Sequence, residues 1–240
     1  MEIQKKGNSD SALDASLESQ WLSTTDPEVF VKNNQTFNTL MMRYRCAILE
    51  LHTRLDVLND EFSVANKRNP ISSIKSRIKS PGSIYEKLRR RGFEFTEENI
   101  ITQLDDVAGV RVICPFISDV YTIVDLIKSQ KDLTIIKEKD YIKVPKDNGY
   151  RSCHLIVDVP IFFSSGIHKM RAEIQIRTIG MDLWASVDHQ LHYKKNLGMD
   201  ENVAFIEQEL LRAADAVHQN DKHMEEIKSL IGQFEDTQLF

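Results

Sequence analysis

The sequence predicts a mixed α/β (α+β) fold in which long helices at both ends of the chain flank a central sheet. Near both ends, apolar residues recur at alternating steps of three and four, which is the spacing of amphipathic helices. In the middle of the chain, apolar and polar residues alternate with a period of two, which is typical of half-buried strands.

The composition is that of a globular chain. Of its 240 residues, 41% are hydrophobic and 28% are charged, which excludes disorder for the chain as a whole. No apolar run approaches the ~18 residues of a membrane span, and the first residues lack the apolar stretch of a secretory signal. Three cysteines without a C-x-x-C pair indicate a reducing compartment. We therefore expect a cytoplasmic protein without a membrane partner.

The terminal helices set the expected limits of the domain. Residues 1–30 are polar and are expected to form a flexible tail, whereas 31–240 are expected to form a single domain. The first helix is expected over 31–66, and Asn69-Pro70 prevents it from continuing. The last helix is expected over 200–236.

Each terminal helix carries a long apolar seam. The first extends over 37–62 and the second from Val203 to Phe234, with Asn220 as its one polar member. Packing within the chain explains such seams in the ordinary case. Two seams are more than one small sheet obviously covers, so self-association through these helices is at least as well supported.

A strongly basic segment follows the first helix. The net charge of the chain is −5, but residues 67–92 hold nine basic residues and one acid. For a charge run, a solvated helix face is the ordinary interpretation. Here the cations surround the start of a predicted helix, which Gly92 would end. The start of a helix with several cations nearby binds phosphate groups well. The polar residues that we place there are Arg77, Lys79, Ser83, Lys87 and Arg90.

The middle of the chain is predicted to contain short strands around one helix. The strands are expected, in order, over 110–116, 133–137, 140–144, 151–163 and 169–177. Ser118 is expected to cap a helix that ends at Lys128. The turn 164–166 makes the last two strands an antiparallel hairpin, and the chain is then helical over 179–193.

The last predicted strand separates its side chains by polarity. Ala172, Ile174 and Ile176 lie on one face, and the opposite face carries Glu173, Gln175 and Arg177. A polar strand face in the middle of a fold indicates either a ligand or solvent.

Two carboxylates suggest a metal site. Asp106 precedes one predicted strand and Glu173 lies on another, and Mg²⁺ prefers one or two carboxylates together with phosphate oxygens. With the cations of the basic segment, these residue types make a phosphate-transfer site. The common nucleotide folds are not supported, because the chain has neither a P-loop nor a G-x-G-x-x-G motif. Tyr150 is either a buried strand aromatic or a platform for a nucleobase.

Three long motifs carry a family resemblance. The strings D-V-A-G-V-R, K-D-Y-I-K-V-P-K-D-N-G-Y-R-S-C-H and E-I-Q-I-R-T-I-G-M-D-L-W-A-S-V-D-H occur in this order. They resemble the synthetase domain of the RelA/SpoT family, and most of all its single-domain small alarmone synthetases. The resemblance covers roughly 35–235 and implies a nucleotidyltransferase-like fold, a mixed and largely antiparallel β-sheet flanked by helices.

The resemblance also implies an activity, transfer of pyrophosphate from ATP to the 3′-hydroxyl of GTP or GDP, and a homotetramer. By similarity, Arg77 and Arg111 would sandwich adenine, and the other polar residues of the basic segment would hold the ATP phosphates. Asp106 and Glu173 would be the catalytic residues and would ligate Mg²⁺. The acceptor would meet Lys139, Lys146, Tyr150, His154, Gln175 and Asp182.

One alternative belongs to another class of function. A catalytically idle nucleotide- or RNA-binding regulator would use the basic segment 67–92 as an electrostatic surface. Such a protein has no need of both metal carboxylates. The motif Lys137-Glu138-Lys139-Asp140 leaves the choice between GTP and GDP open. The role of Asp188, which would lie near guanine by similarity, is open as well.

Overall fold

The computed structural model describes residues 35–66, 68–193 and 200–237. The expected tail over 1–30 and the first residues of the expected helix, 31–34, lie outside the described residues. No helix in the described ranges combines the length and the apolar character that a membrane span requires.

Six helices and five strands lie in the described ranges. In chain order they are α1 (Gln35–Asn66), β1 (Ser73–Ile78), α2 (Pro81–Arg90), α3 (Glu97–Gln103), β2 (Ala108–Cys114), α4 (Ile117–Ser129), β3 (Thr134–Asp140), β4 (Cys153–Phe163), β5 (Gly166–Thr178), α5 (Ile179–Tyr193) and α6 (Asp200–Thr237).

The strands form one sheet in the order β1-β2-β5-β4-β3. Strands β2 and β5 are parallel, and the other three neighbouring pairs are antiparallel. The sheet is therefore mixed and largely antiparallel, which confirms the expected fold class and the hairpin of β4 and β5.

The sheet packs its apolar face against two helices. Helices α1 and α4 lie against β2, β4 and β5, and the expected apolar positions of α1, such as Phe37, Tyr44 and Leu51, are buried there. Ala172, Ile174 and Ile176 of β5 are fully buried in the same core. The polar side chains of β5 consequently lie on the opposite face of the sheet.

Two local predictions around β3 and α4 are wrong. The expected strands over 133–137 and 140–144 are one strand followed by a turn, because the Asp140 carboxylate accepts the backbone N–H groups of Ile142 and Lys143, both at 3.0 Å. Ser118 does not cap α4, whose N-cap is Phe116. The Ser118 hydroxyl instead donates to Glu225 of α6 at 2.7 Å.

Strand β1 and helix α3 were not predicted from the sequence. The segment S-I-K-S-R-I lacks the apolar alternation that predicts a strand, because charged and hydroxyl residues occupy most of its positions. It is an edge strand with a single neighbour, and none of its side chains is fully buried. Charged side chains are a common device for protecting such an edge from further pairing.

The expected seam of α6 divides between two environments. Leu210 and Val217 face α5 and are only partly exposed, and Val217 lies so close to Gly180 that a Cβ added there would meet it at 2.9 Å. Met224, Ile227 and Ile231 remain 42%, 38% and 54% exposed. The side chain of Phe234, the last member of the seam, lies outside the described ones.

Gly149, in the loop between β3 and β4, provides a test of how closely this loop packs against α6. It has φ of +86°, and a Cβ added to it would meet Ala214 at 2.6 Å and Leu211 at 3.0 Å. Gly166 also has a positive φ, of +123°, but nothing lies within 4 Å of an added Cβ. We expect Gly166→Ala to lower the free energy of unfolding by about 1 kcal/mol through backbone strain alone. Gly149→Ala should cost about 1–3 kcal/mol more because of the overlap.

Urea unfolding of the two variants beside the wild type measures this difference. Equal losses in both variants would contradict the close contact between the loop and α6.

Candidate active site

The polar face of the sheet carries a row of cationic and polar side chains. Residues directly opposite each other on neighbouring strands share a face, and the register brings one residue of each strand into line. Across the sheet the row contains Lys75, Arg111, Gln175, His154 and Lys139. Four of these were expected at the site, and Lys75 was not.

The next row, two residues along β5, opens a cavity. Arg77, Gly109 and Glu173 are aligned there, and Gly109 contributes no side chain between the other two. The resulting cavity has a volume of about 130 Å³. It is lined by Lys75, Ser76, Arg77, Asp106, Gly109, Val110, Arg111, Glu173 and Gln175.

Asp106 lines this cavity and pairs with two lysines. Its Oδ2 atom accepts from Lys79 at 2.9 Å and from Lys87 at 2.8 Å. Burial alone would raise the pKa of Asp106, but the hydrogen bonds from Lys87 and Lys79 outweigh it and lower that pKa. The Oδ1 atom is buried without a hydrogen-bond partner, so one oxygen remains for a ligand.

Helix α2 brings Lys87 to Asp106. Ser80 caps the helix by accepting the backbone N–H of Ser83, and Pro81 occupies the first helical position, where its missing N–H is harmless. Ser83 and Arg90 are exposed on either side of Lys87, at spacings that place them on the same helix face. The structure thus brings Lys79 and Lys87 to a carboxylate that lines the cavity, and it leaves Ser83 and Arg90 exposed on the helix face that also carries Lys87.

A chain of hydrogen bonds leads away from Glu173. Its Oε1 atom lies 3.0 Å from Nδ1 of His154, and Nε2 of His154 lies 2.8 Å from the hydroxyl of Tyr150. Burial lowers the pKa of His154 although Glu173 acts to raise it, so the ring is neutral. It then donates to Glu173 and accepts from Tyr150, whose oxygen accepts from Arg177 at 2.9 Å.

The second oxygen of Glu173 also accepts a hydrogen bond, which helps to keep the carboxylate ionised. The side-chain amide of Gln175 donates to Oε2 at 2.8 Å. Burial would raise the pKa of Glu173, but the bond from His154 and then that from Gln175 lower it. The carboxylate consequently keeps its charge and a fixed orientation in the cavity wall.

Two cations lie close to the ring of Tyr150. Nζ of Lys146 is 4.8 Å from its centroid and Cζ of Arg177 is 5.3 Å from it. Lys146 also lies 4.9 Å from the ring of Tyr141, which places a second aromatic beside the first.

The sequence did not identify Arg177 as a site residue. Its side chain is only 2% exposed, and it also donates to Oε1 of Gln175. The alternation of β5 had placed it on the polar face, and that pattern was the only available signal. Lys75 had no such signal, because the strand that it shares with Arg77 was not predicted.

Asp182, near the start of α5, contacts cations of β1, β2 and β5 at the edge of the site. Its carboxylate contacts Lys75 at 3.1 Å, Arg111 at 3.1 Å and Arg177 at 3.6 Å. The remaining residue expected to contact the acceptor, Lys139, lies opposite His154 on β3.

Comparison with known proteins places this arrangement in a family. The sequence pattern described as "Region found in RelA / SpoT proteins" matches residues 76–198. The chain belongs to the RelA/SpoT family. The matched region includes every expected site residue.

This chain matches several members of the RelA/SpoT family over most of their length. The GTP pyrophosphokinase YwaC of Bacillus subtilis is 43% identical over 188 residues, which are 78% of this chain and 88% of that protein. The crystal structure of small alarmone synthetase 2 from Bacillus subtilis matches with a TM-score of 0.72 at 41% identity and covers 81% of this chain and 99% of its own. The crystal structure of small alarmone synthetase 1 from the same organism, bound to its product pppGpp, matches with a TM-score of 0.73 at 33% identity. The match covers 82% of this chain and 99% of that one.

Asp106 and Asp221 are expected to change the pH dependence of stability in opposite directions. The pKa of Asp106 lies below the usual 3.8, so its ionised form stabilises the fold above that pH, and this contribution is lost as the pH falls through the folded value. Burial raises the pKa of Asp221 above 3.8 despite a hydrogen bond from Thr178. Its ionisation therefore destabilises the fold as the pH rises through the folded value.

Urea unfolding between about pH 3 and pH 7 tests both signs. Relative to the wild type, Asp106→Asn should lose stability as the pH rises and Asp221→Asn should gain it, each by about 1.4 kcal/mol per unit of pKa difference. A pH profile parallel to that of the wild type would contradict the environment described for that carboxylate.

Proposed function

We propose that this chain is a GTP diphosphokinase, which transfers the β,γ-pyrophosphate of ATP to the 3′-hydroxyl of GTP or GDP and releases AMP. The observation that carries the proposal is one cavity in which two carboxylates, Asp106 and Glu173, face a set of cations on the scaffold of the RelA/SpoT family. Relatives that cover most of the chain are named for this activity.

ATP is proposed to bind at the end of the cavity formed by β1, β2 and α2. Arg77 and Arg111 line the cavity and present guanidinium planes to an adenine ring. Lys79, Ser83, Lys87 and Arg90 approach the phosphates from the start and outer face of α2, where cations and helix N–H groups attract polyphosphate.

The residues present fit a magnesium ion, which we propose as the cofactor. Asp106 offers a buried oxygen without a hydrogen-bond partner, and Glu173 lines the same cavity. No cluster of three metal-binding side chains occurs among the described residues, which suits an ion that takes one or two carboxylates and completes its shell with phosphates and water. When bound, the ion would neutralise charge on the transferred group.

The acceptor is proposed to bind beside β3 and β4. The guanine ring would stack on Tyr150, whose ring has Lys146 and Arg177 as neighbours. Lys139, Lys146 and His154 would face the acceptor phosphates, with Gln175 and Asp182 nearby. A base stacked on an aromatic ring gains roughly 1–3 kcal/mol.

Glu173 is proposed to take the proton of the attacking hydroxyl. The 3′-oxygen forms a bond to the β-phosphorus of ATP, the bond from that phosphorus to the oxygen it shares with the α-phosphate breaks, and AMP leaves with that oxygen. The protein contributes position and charge more than covalent chemistry in such a transfer. The bonds from His154 and Gln175 supply this position by holding both oxygens of Glu173.

The assay uses the full chain with γ-labelled ATP, Mg²⁺ and either GTP or GDP. We expect a labelled 3′-pyrophosphorylated nucleotide and an equal amount of AMP. Glu173→Gln and Asp106→Asn should each reduce the rate at least about 100-fold, because such charge stabilisation commonly contributes several kcal/mol. Asp132→Asn is the matched control, since Asp132 pairs with Arg54 away from the site.

Release of pyrophosphate in place of AMP would identify a nucleotidyltransferase. Nucleotide binding without any product would support the regulator that uses the basic segment 67–92. Near-normal rates in Glu173→Gln or Asp106→Asn would overturn the assignment of that carboxylate.

We also propose a homo-oligomer, a tetramer by similarity to the family, in the cytoplasm. Three side chains of α6, Met224, Ile227 and Ile231, form an apolar stripe that the protomer leaves exposed. On α5, Leu183 and Val187 are likewise exposed, at 62% and 43%. The three cysteines are free, which suits a reducing compartment.

The oligomer is tested by placing charges on the stripe of α6. Ile227→Asp with Ile231→Asp should shift the protein to a smaller species in sedimentation without unfolding it, because both residues are exposed in the protomer and a charge is costly only at an apolar interface. Gln219→Asp with Ser229→Asp, on other exposed positions of α6, is the control and should leave the size unchanged. A wild type that sediments as a monomer at micromolar concentration would contradict the proposal.

A further inference from the structure

Asp182 gathers cations from three different strands. Lys75 of β1 and Arg111 of β2 each approach its carboxylate to 3.1 Å, and Arg177 of β5 approaches to 3.6 Å. The side chain of Asp182 is only 11% exposed. A carboxylate that already serves three cations is better suited to holding protein side chains than to reading a nucleotide.

Two of the three cations share a single oxygen atom. Arg111 and Arg177 both contact Oδ1 of Asp182, whereas Lys75 contacts Oδ2. Burial lowers the pKa of Arg177, and the positive charge of Arg111 lowers it further, whereas Asp182 raises it. The two guanidinium groups therefore repel each other, and Asp182 offsets that repulsion. The position of one group depends on the position of the other through this oxygen.

The two guanidinium groups serve different nucleotides in the proposed function. Arg111 lines the cavity beside Arg77, where adenine is proposed to bind. Arg177 donates to the hydroxyl of Tyr150 at 2.9 Å, and its Cζ atom lies 5.3 Å from the centroid of the ring on which guanine is proposed to stack. One oxygen of Asp182 thus lies between the ATP side and the acceptor side.

We propose that Asp182 is a positioning residue that couples the two nucleotide sites by holding Arg111 and Arg177 in one joint arrangement. This inference rests on the proposed function, because it takes its two sites from there. When adenine packs on Arg111, it favours one position of the Arg111 guanidinium group at Oδ1 of Asp182. The position of Arg177 at the same oxygen changes with it, and so does the position of Tyr150, which Arg177 contacts. Coupling of this kind is reciprocal, so the acceptor favours ATP by the same factor.

The experiment measures binding and not turnover. GDP is titrated into the full chain by calorimetry, with Mg²⁺, in the presence and absence of a saturating non-hydrolysable ATP analogue. In the wild type we expect the analogue to lower the Kd for GDP at least about fivefold, the lower end of typical coupling. In Asp182→Asn the effect should fall below about twofold, because the amide cannot hold two guanidinium groups by charge. Asp132→Asn, the same change at a remote ion pair with Arg54, should keep the full effect.

Tyr150→Phe provides a second variant that retains the cluster of charges. It keeps the aromatic ring but removes the hydroxyl that Arg177 contacts. We expect the effect of the analogue on GDP binding to be lost here too. The effect is the ratio of the two Kd values measured for this variant, so a change in its affinity for GDP alone does not enter the comparison. This variant decides the matter if Asp182→Asn does not fold.

Three results would overturn the coupling. The first is that the analogue leaves the Kd for GDP unchanged in the wild type. The second is that Tyr150→Phe keeps the full effect of the analogue. The third is that Asp182→Asn weakens GDP binding by the same factor with and without the analogue. The last result would make Asp182 a direct ligand of the acceptor, as expected by similarity. A wild type that binds both nucleotides cooperatively but forms no product would contradict the proposed function and leave the coupling standing.

Discussion

The parallel pairing of β2 with β5 at the centre of the sheet determines which side chains meet at the site. It aligns Gly109 with Glu173 and Arg111 with Gln175, and the antiparallel neighbour β4 adds His154 beside Gln175. A slip of one residue would turn Glu173 toward the core and Ala172, Ile174 and Ile176 toward the cavity. Because these three apolar side chains are fully buried and an unpaired carboxylate is very costly to bury, packing of the core fixes the register. The geometry of the site therefore follows from burial on the opposite face of the same strand.

The concentrated positive charge of the site is partly offset by carboxylates of the protein. Asp106 offsets part of the charge of Lys79 and Lys87, and Asp182 offsets part of the charge of the cations around it. Pairing of this kind lets the cations stand in place before substrate arrives, which is the arrangement that favours charge stabilisation during a reaction. In the proposed function, a triphosphate that attracts the two lysines also releases Oδ2 of Asp106, so the phosphate and a divalent cation would become bound together.

Sequence patterns predicted the parts of the site that depend on one strand or helix. The alternation of β5 placed Glu173, Gln175 and Arg177 on one face, and the fold confirms it. Long-range contacts left no such pattern: Asp182 lies beside Lys75 across 107 residues, and Tyr150 joins Arg177 across 27. Strand β1 was not predicted, because this edge strand is rich in charged residues and lacks the apolar alternation that is typical of half-buried strands. The assignments of individual residues to ATP and the acceptor came from the family resemblance and stay predictions.

Helix α6 connects the proposed acceptor site with the proposed interface. Its inner face holds the loop between β3 and β4, where Arg151 pairs with Asp215 at 3.0 Å and Gly149 packs on Ala214. The same face accepts a hydrogen bond from Thr178, which directly follows Arg177, through Asp221 at 2.6 Å. Its outer face carries the exposed apolar stripe. One helix therefore carries both the exposed stripe of the proposed interface and, through Ala214 and Asp215, the contacts to the loop that contains Tyr150.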